Sequence, residues 1–98
     1  NLRAEEKGVD VYVAPLGDRA SDESQAICQK LREAGLSAET DLMGRSLKAQ
    51  MKYADKINAH YVAIIGDDEL DQGVATVKNM VEGESKQISL DDLKKGNL

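Results

Sequence analysis

Tyr61-Val62-Ala63-Ile64-Ile65-Gly66 is the stretch from which the fold can be read. A continuous apolar run, rich in β-branched residues and closed by glycine, describes a strand covered on both faces, the usual state of a central strand in an α/β sheet. Upstream, Leu47, Met51, Ala54 and Asn58 recur at helical spacing behind Ser46. That spacing predicts a helix with Ser46 as N-cap and those four residues on its inward stripe. Gly44 marks a turn, and Leu36–Thr40 reads as a short strand. Before it, Ile27, Leu31 and Ala34 predict a helix from Ser21, with Asp22 and Glu23 in its first turn and Gly35 as its C-terminal glycine. Val9–Ala14, stopped by Pro15, reads as the first strand, and Leu16–Arg19 as the loop after it. Downstream, Val74–Lys78 and Gln87–Ser89 read as strands and Asp91–Lys95 as a closing helix led in by Ser89 or Leu90. The order β-α-β-α-β-β-β-α implies parallel pairs joined by right-handed crossovers and a late antiparallel hairpin. The expected fold is α/β: a three-layer domain with a five-stranded mixed sheet flanked by three helices.

A chain of 98 residues holds one core, expected over 9–95, with a flexible N-terminal end at 1–8 and a tail at 96–98. Hydrophobic residues are 41% and charged residues 32%, a globular composition. No apolar run approaches a membrane span, and the first residues lack the apolar core of a signal peptide. The chain does not begin with Met, so a fragment of a larger protein is expected. Cys28 is the single cysteine and has no internal partner, which fits a reducing, cytoplasmic setting.

Thirteen basic against eighteen acidic residues give a net charge of −5, which opposes non-specific adhesion to nucleic acid or anionic membrane. Within that acidic chain, Arg45, Lys48, Lys52 and Lys56 fall along one face of the second helix. The row is either the solvated side of an amphipathic helix or a phosphate-tracking surface. Arg45 stands beside Gly44 at the helix entrance, where a side chain and free backbone N–H groups can face one anion. Catalysis finds little support. His60 is the only histidine, at the entrance of the central strand, and Cys28 reads as a core residue. No nucleophile elbow, zinc-helix or phosphate-loop motif occurs. Asp67-Asp68-Glu69-Leu70-Asp71, counted as a calcium loop, puts Gln72 where glycine is needed and Lys78 where the bidentate glutamate belongs. It reads instead as a solvated turn between strands, or as a recognition loop whose carboxylates accept hydrogen bonds from base amino groups. No metal site is expected.

Four segments in collinear order carry a resemblance: Val11–Gly17, Gly44–Lys56, Ile64–Leu70 and Gly73–Met80. Together they resemble the C-terminal anticodon-binding domain of class II aminoacyl-tRNA synthetases, and within that group the bacterial histidyl enzymes. The resemblance runs from Val9 to Leu93. It implies a domain that binds the anticodon loop, GUG for histidine tRNA, as part of a cytoplasmic homodimeric histidine–tRNA ligase. The ligase's catalytic domain, absent from this chain, would use ATP and Mg2+, and no cofactor is implied for the chain itself. The related threonyl enzymes touch anticodon bases through an acid matching Glu69 and a base matching Lys78. Two other positions of that pattern depart, at Asp68 and Gly44. Arg45 and Gln50 are expected to fill the gap, because each side chain can make two hydrogen bonds to a base edge. Lys48 and Lys52 are assigned to phosphates, and Tyr53 either stacks under a splayed base or packs inward. The alternative reading is a protein-interaction module of a synthetase-like, non-charging protein, which an apolar patch in place of the basic face would favour.

Overall fold

The computed structural model describes residues 8–98. Its elements are β1 (Val11–Pro15), α1 (Asp18–Glu33), β2 (Ala38–Thr40), α2 (Leu47–Lys56), β3 (Tyr61–Ile65), α3 (Asp67–Gln72), β4 (Val74–Asn79), β5 (Ser85–Ser89) and α4 (Leu90–Lys94). The strands form one mixed sheet in the order β2-β1-β3-β4-β5. β1 pairs in parallel with β2 and β3, and β3-β4 and β4-β5 are antiparallel. The apolar run at Tyr61–Ile65 is the middle strand, as its two-sided burial requires.

Alternation along the strands separates two cores. Val11, Val13, Ala63, Ile65, Ala75 and Val77 face Ile27 and Leu31 of α1 and Leu93 of α4, with Leu70 of α3 packed against them. Tyr12, Ala14 and Val62 face the other way, toward Ala54 of α2. α2 thus covers the second face over β1 and β3. On β4 and β5 the register pairs Thr76 with Gln87 and Lys78 with Ser85, so that face continues as a polar strip.

Four helices flank the sheet rather than three. The fourth, α3, occupies the acidic segment expected as a turn. Asp67, Asp68 and Glu69 fill its first turn, where the helix dipole favours acids, and Gly73 closes it in the left-handed conformation at φ 72°. Arg19 ties α3 to α1 through Asp67 at 3.5 Å and Asp71 at 3.0 Å. α1 begins at Asp18, three residues before the expected Ser21, because Gly17 at φ 107° turns the chain directly into the helix. Pro15 ends β1 from within it, paired in register with Ile65. Ser46 caps α2 as expected, accepting from the Ala49 N–H at 3.2 Å. Asn58 leaves the stripe expected for it: α2 ends at Lys56, and Asn58 turns the chain at φ 56°.

Of the expected flexible end at 1–8, residues 1–7 lie outside the described residues. Gly8 is packed so closely that a Cβ would overlap the Asn58 carbonyl. The expected tail at 96–98 is tied back, with Gly96 and Asn97 donating to the Leu93 and Asp92 carbonyls and Leu98 against the first core. Among the described residues no helix is long and apolar enough to cross a membrane.

Candidate nucleic-acid interface

α2 enters at the C-terminal ends of β1 and β3. The Gln50 amide donates to the Pro15 carbonyl at 2.9 Å and to the Arg45 carbonyl at 2.8 Å, and its oxygen accepts from the Tyr12 hydroxyl at 3.5 Å. Gln50 is fully buried. The expectation that it reads a base edge is therefore corrected: its amide is spent inside the protein, joining the start of α2 to β1. Tyr12 beneath it is a core residue whose hydroxyl is pushed up to about 12 by burial and by nearby Asp41.

Asp41, whose side chain is inaccessible to solvent, takes hold of Arg45 twice. Its carboxylate accepts from the Arg45 backbone N–H at 2.8 Å and from Nε at 2.9 Å. Burial pushes this carboxyl up, but the backbone and side-chain hydrogen bonds from Arg45 and the backbone bond from Met43 outweigh it. The net effect holds Asp41 below its ordinary range. Such a group stabilises the fold above its unfolded pKa, near 4, and that contribution is lost as pH falls through the lower folded value. Asp41→Asn should accordingly flatten the acid side of the stability curve below about pH 4, read as urea midpoints between about pH 5 and 2. An unchanged acid limb would remove Asp41 as its source.

The Arg45 guanidinium lies 5.1 Å from the centre of the Tyr53 ring, and that ring meets Tyr12 at 5.8 Å, tilted by 59°. Tyr53 thus packs inward and is capped by Arg45, the inward alternative of the two expected for it. Arg45 keeps 41% of its side chain exposed. The Asp41 turn also holds out Leu42 and Met43, 71% and 78% exposed, neither of which was singled out from sequence.

Lys48 and Lys52 line an open groove of about 590 Å³ together with Lys78, over a floor of Leu47, Met51 and Met80, with Asp55 at its side. Lys78 reaches it because its register partner is Val62, which faces α2. Among the described residues none of the three lysines is in an ion pair. Lys56, the last of the basic row, is outside this groove. A second cleft, lined by Asp10, Asp55 and His60, carries no lysine or arginine among the described residues. Glu69 stands at the start of α3, its carboxylate accepting from the Gly66 N–H at 2.7 Å, next to Leu16. It therefore holds the helix start through one oxygen, and among the described residues the other makes no hydrogen bond. Arg45 and Glu69 both sit at the C-terminal ends of the parallel strands. His60 stacks on Tyr61 at 4.3 Å, and burial pushes the Cys28 thiol up to about 11, which keeps it protonated.

Residues 10–96 match the family model described as anticodon binding domain. The chain belongs to the anticodon-binding domain family. This anticodon-binding domain is 54% identical over 89 residues to a histidine–tRNA ligase of Acetivibrio thermocellus, covering 91% of the chain and 21% of that relative. It is 51% identical over 90 residues to that of Symbiobacterium thermophilum, covering 92% and 21%. Among solved structures, apo S. aureus histidyl-tRNA synthetase superposes with a TM-score of 0.88 at 37% identity, over 93% of this chain and 27% of that one. The RNA-binding domain of Cryptosporidium parvum threonyl-tRNA synthetase shares the fold, with a TM-score of 0.79 at 14% identity over 88% and 22%. The anticodon-binding domain thus spans about a fifth of the curated relatives it matches.

Proposed function

We propose that this chain reads the GUG anticodon of histidine tRNA as part of a cytoplasmic, homodimeric histidine–tRNA ligase. The observation that carries the RNA half is the groove between α2 and β4, where three lysines, without ion pairs among the described residues, gather on a protein of net charge −5. The histidyl half is supported by the identity to histidine–tRNA ligases along nearly all of the chain. Lys48 and Lys52 hold loop phosphates, which position the RNA without reading it. Glu69 and Lys78 touch anticodon bases, Glu69 through its uncommitted oxygen, and Arg45 adds its guanidinium. Tyr53 contributes as the support of Arg45. Bases splayed from a single-stranded loop can reach these groups, which a groove of duplex RNA would not present. Activation of histidine with ATP and Mg2+ belongs to the other four fifths of such a protein, and none of these residues is given a part in it.

The test is binding of the chain to an anticodon stem–loop carrying GUG, beside one with the three bases scrambled, across a salt series. A preference for GUG that persists as salt rises is the expected result. Equal binding that fades with salt would leave a basic groove without base reading. Substituting Glu69 by alanine should reduce the preference about tenfold or more, and an unchanged preference would remove Glu69 from the site.

A further inference from the structure

Asp41 is a charged side chain of this surface to which the proposed function gives no role, yet it is buried and bonds both the backbone and the side chain of Arg45. We propose that Asp41 is a positioning residue that locks Arg45 to read the O6/N7 edge of a guanine in the bound RNA loop. The inference rests on the anticodon-binding reading above.

Three constraints act on Arg45 together. Asp41 fixes its backbone N–H and its Nε, Gln50 fixes its carbonyl at 2.8 Å, and the centre of the Tyr53 ring lies 5.1 Å from the guanidinium carbon. A free arginine loses several rotatable bonds on binding, whereas one already held in place gives up little further entropy. With Nε engaged, the N–H groups of the two terminal nitrogens remain, and side by side they match the paired acceptors of guanine. Adenine offers an amino donor where guanine has O6, so the same pair of donors rejects it. A guanidinium anchored at Nε matters for a planar acceptor, since both bonds must lie in the plane of the base. A phosphate imposes no such plane. Arg45 also lies apart from the groove in which Lys48, Lys52 and Lys78 collect.

The test uses the 98-residue chain, its Asp41→Asn, Arg45→Ala and doubly substituted forms, and stem–loops in which each guanine of GUG is replaced in turn by 7-deazaguanine or adenine. At one of the two positions, 7-deazaguanine should weaken the unaltered chain about five- to tenfold and adenine more, with neither affecting Arg45→Ala. Asp41→Asn should lose most of that discrimination and add nothing to Arg45→Ala, because the aspartate acts only through the arginine. A discrimination that survives Asp41→Asn, or an equal further loss in the Arg45→Ala background, would overturn the positioning role. Arg45→Ala that flattens the salt dependence and keeps the guanine preference would make Arg45 a phosphate contact instead. A readout free of RNA accompanies these. The Arg45 Nε–H should give a rigid 15N relaxation signature that becomes mobile in Asp41→Asn. If it is already mobile in the unaltered chain, the lock does not exist. If it is rigid and the chain binds no RNA, the anticodon reading and the guanine assignment both fall, while the lock stands.

Discussion

Gln50→Leu should destabilise the chain by about 2–4 kcal/mol, the largest loss expected from a single substitution on the α2 face. Leucine fits the space but returns none of the hydrogen bonds. The Pro15 and Arg45 carbonyls, served by the Gln50 amide at 2.9 and 2.8 Å, would then lose a buried donor that no neighbouring side chain replaces. An orphaned buried acceptor such as the Pro15 carbonyl costs about 1–3 kcal/mol, the part-buried Arg45 carbonyl costs less, and apolar burial by leucine recovers only part of the sum. In a domain of this size that corresponds to a fall in Tm of about 10–25 °C. Paired thermal melts and urea titrations measure it, with an unchanged m-value showing that native stability itself has moved. Gln50→Glu separates hydrogen bonding from packing. Its carboxylate has no donor for two carbonyls at neutral pH, while its protonated form has one, so part of the loss should return as pH falls toward about 4. A loss under about 1 kcal/mol for Gln50→Leu would mean that water reaches both carbonyls and that the glutamine is not the joint between α2 and β1.

That joint explains where sequence and structure part company. β3 was legible because five apolar residues in a row leave no solvent face, and α2 because Ser46 and the Leu47, Met51, Ala54 stripe agree on one period. α3 was not, because six residues are too few to show a period and Leu70 alone faces the core. The signals that existed were chemical: Gly66 three residues before Glu69, and Gly73 in the position of a helix-ending glycine. At the site, the lysines could be placed from helical spacing, and Lys78 joins them only through the register of β4 on β3. Gln50 and Asp41 carried no mark of burial. A polar residue reads as exposed until its partners are known, and theirs lie 35 residues away at Pro15 and in the Asp41 turn itself. Interior polar pairing is set by the tertiary structure, so the base-reading role expected of Gln50 failed on the same contact that makes it structural.

The second large effect concerns affinity. Lys48→Ala together with Lys52→Ala should weaken binding of the GUG stem–loop about fiftyfold at 50 mM salt, and progressively less as salt rises. Each phosphate contact on single-stranded RNA contributes about 0.7 to the slope of log affinity against log salt, so the double substitution should make the slope shallower by about 1.4. The advantage of GUG over the scrambled loop should stay where it was, because phosphates carry no sequence. Stability should barely change, since both side chains are exposed and without ion pairs among the described residues. Adding Lys78→Ala then separates the groove into its two duties. Lys78 stands on the sheet opposite Val62 rather than on the helix, in the polar strip that an unstacked base would meet. Its removal should cut the GUG preference at every salt concentration and leave the slope nearly unchanged. A further flattening by about 0.7 with the preference intact would assign all three lysines to the backbone, leaving base reading to Arg45 and Glu69. An unchanged slope after the first two substitutions would show that RNA does not enter the groove between α2 and β4 at all.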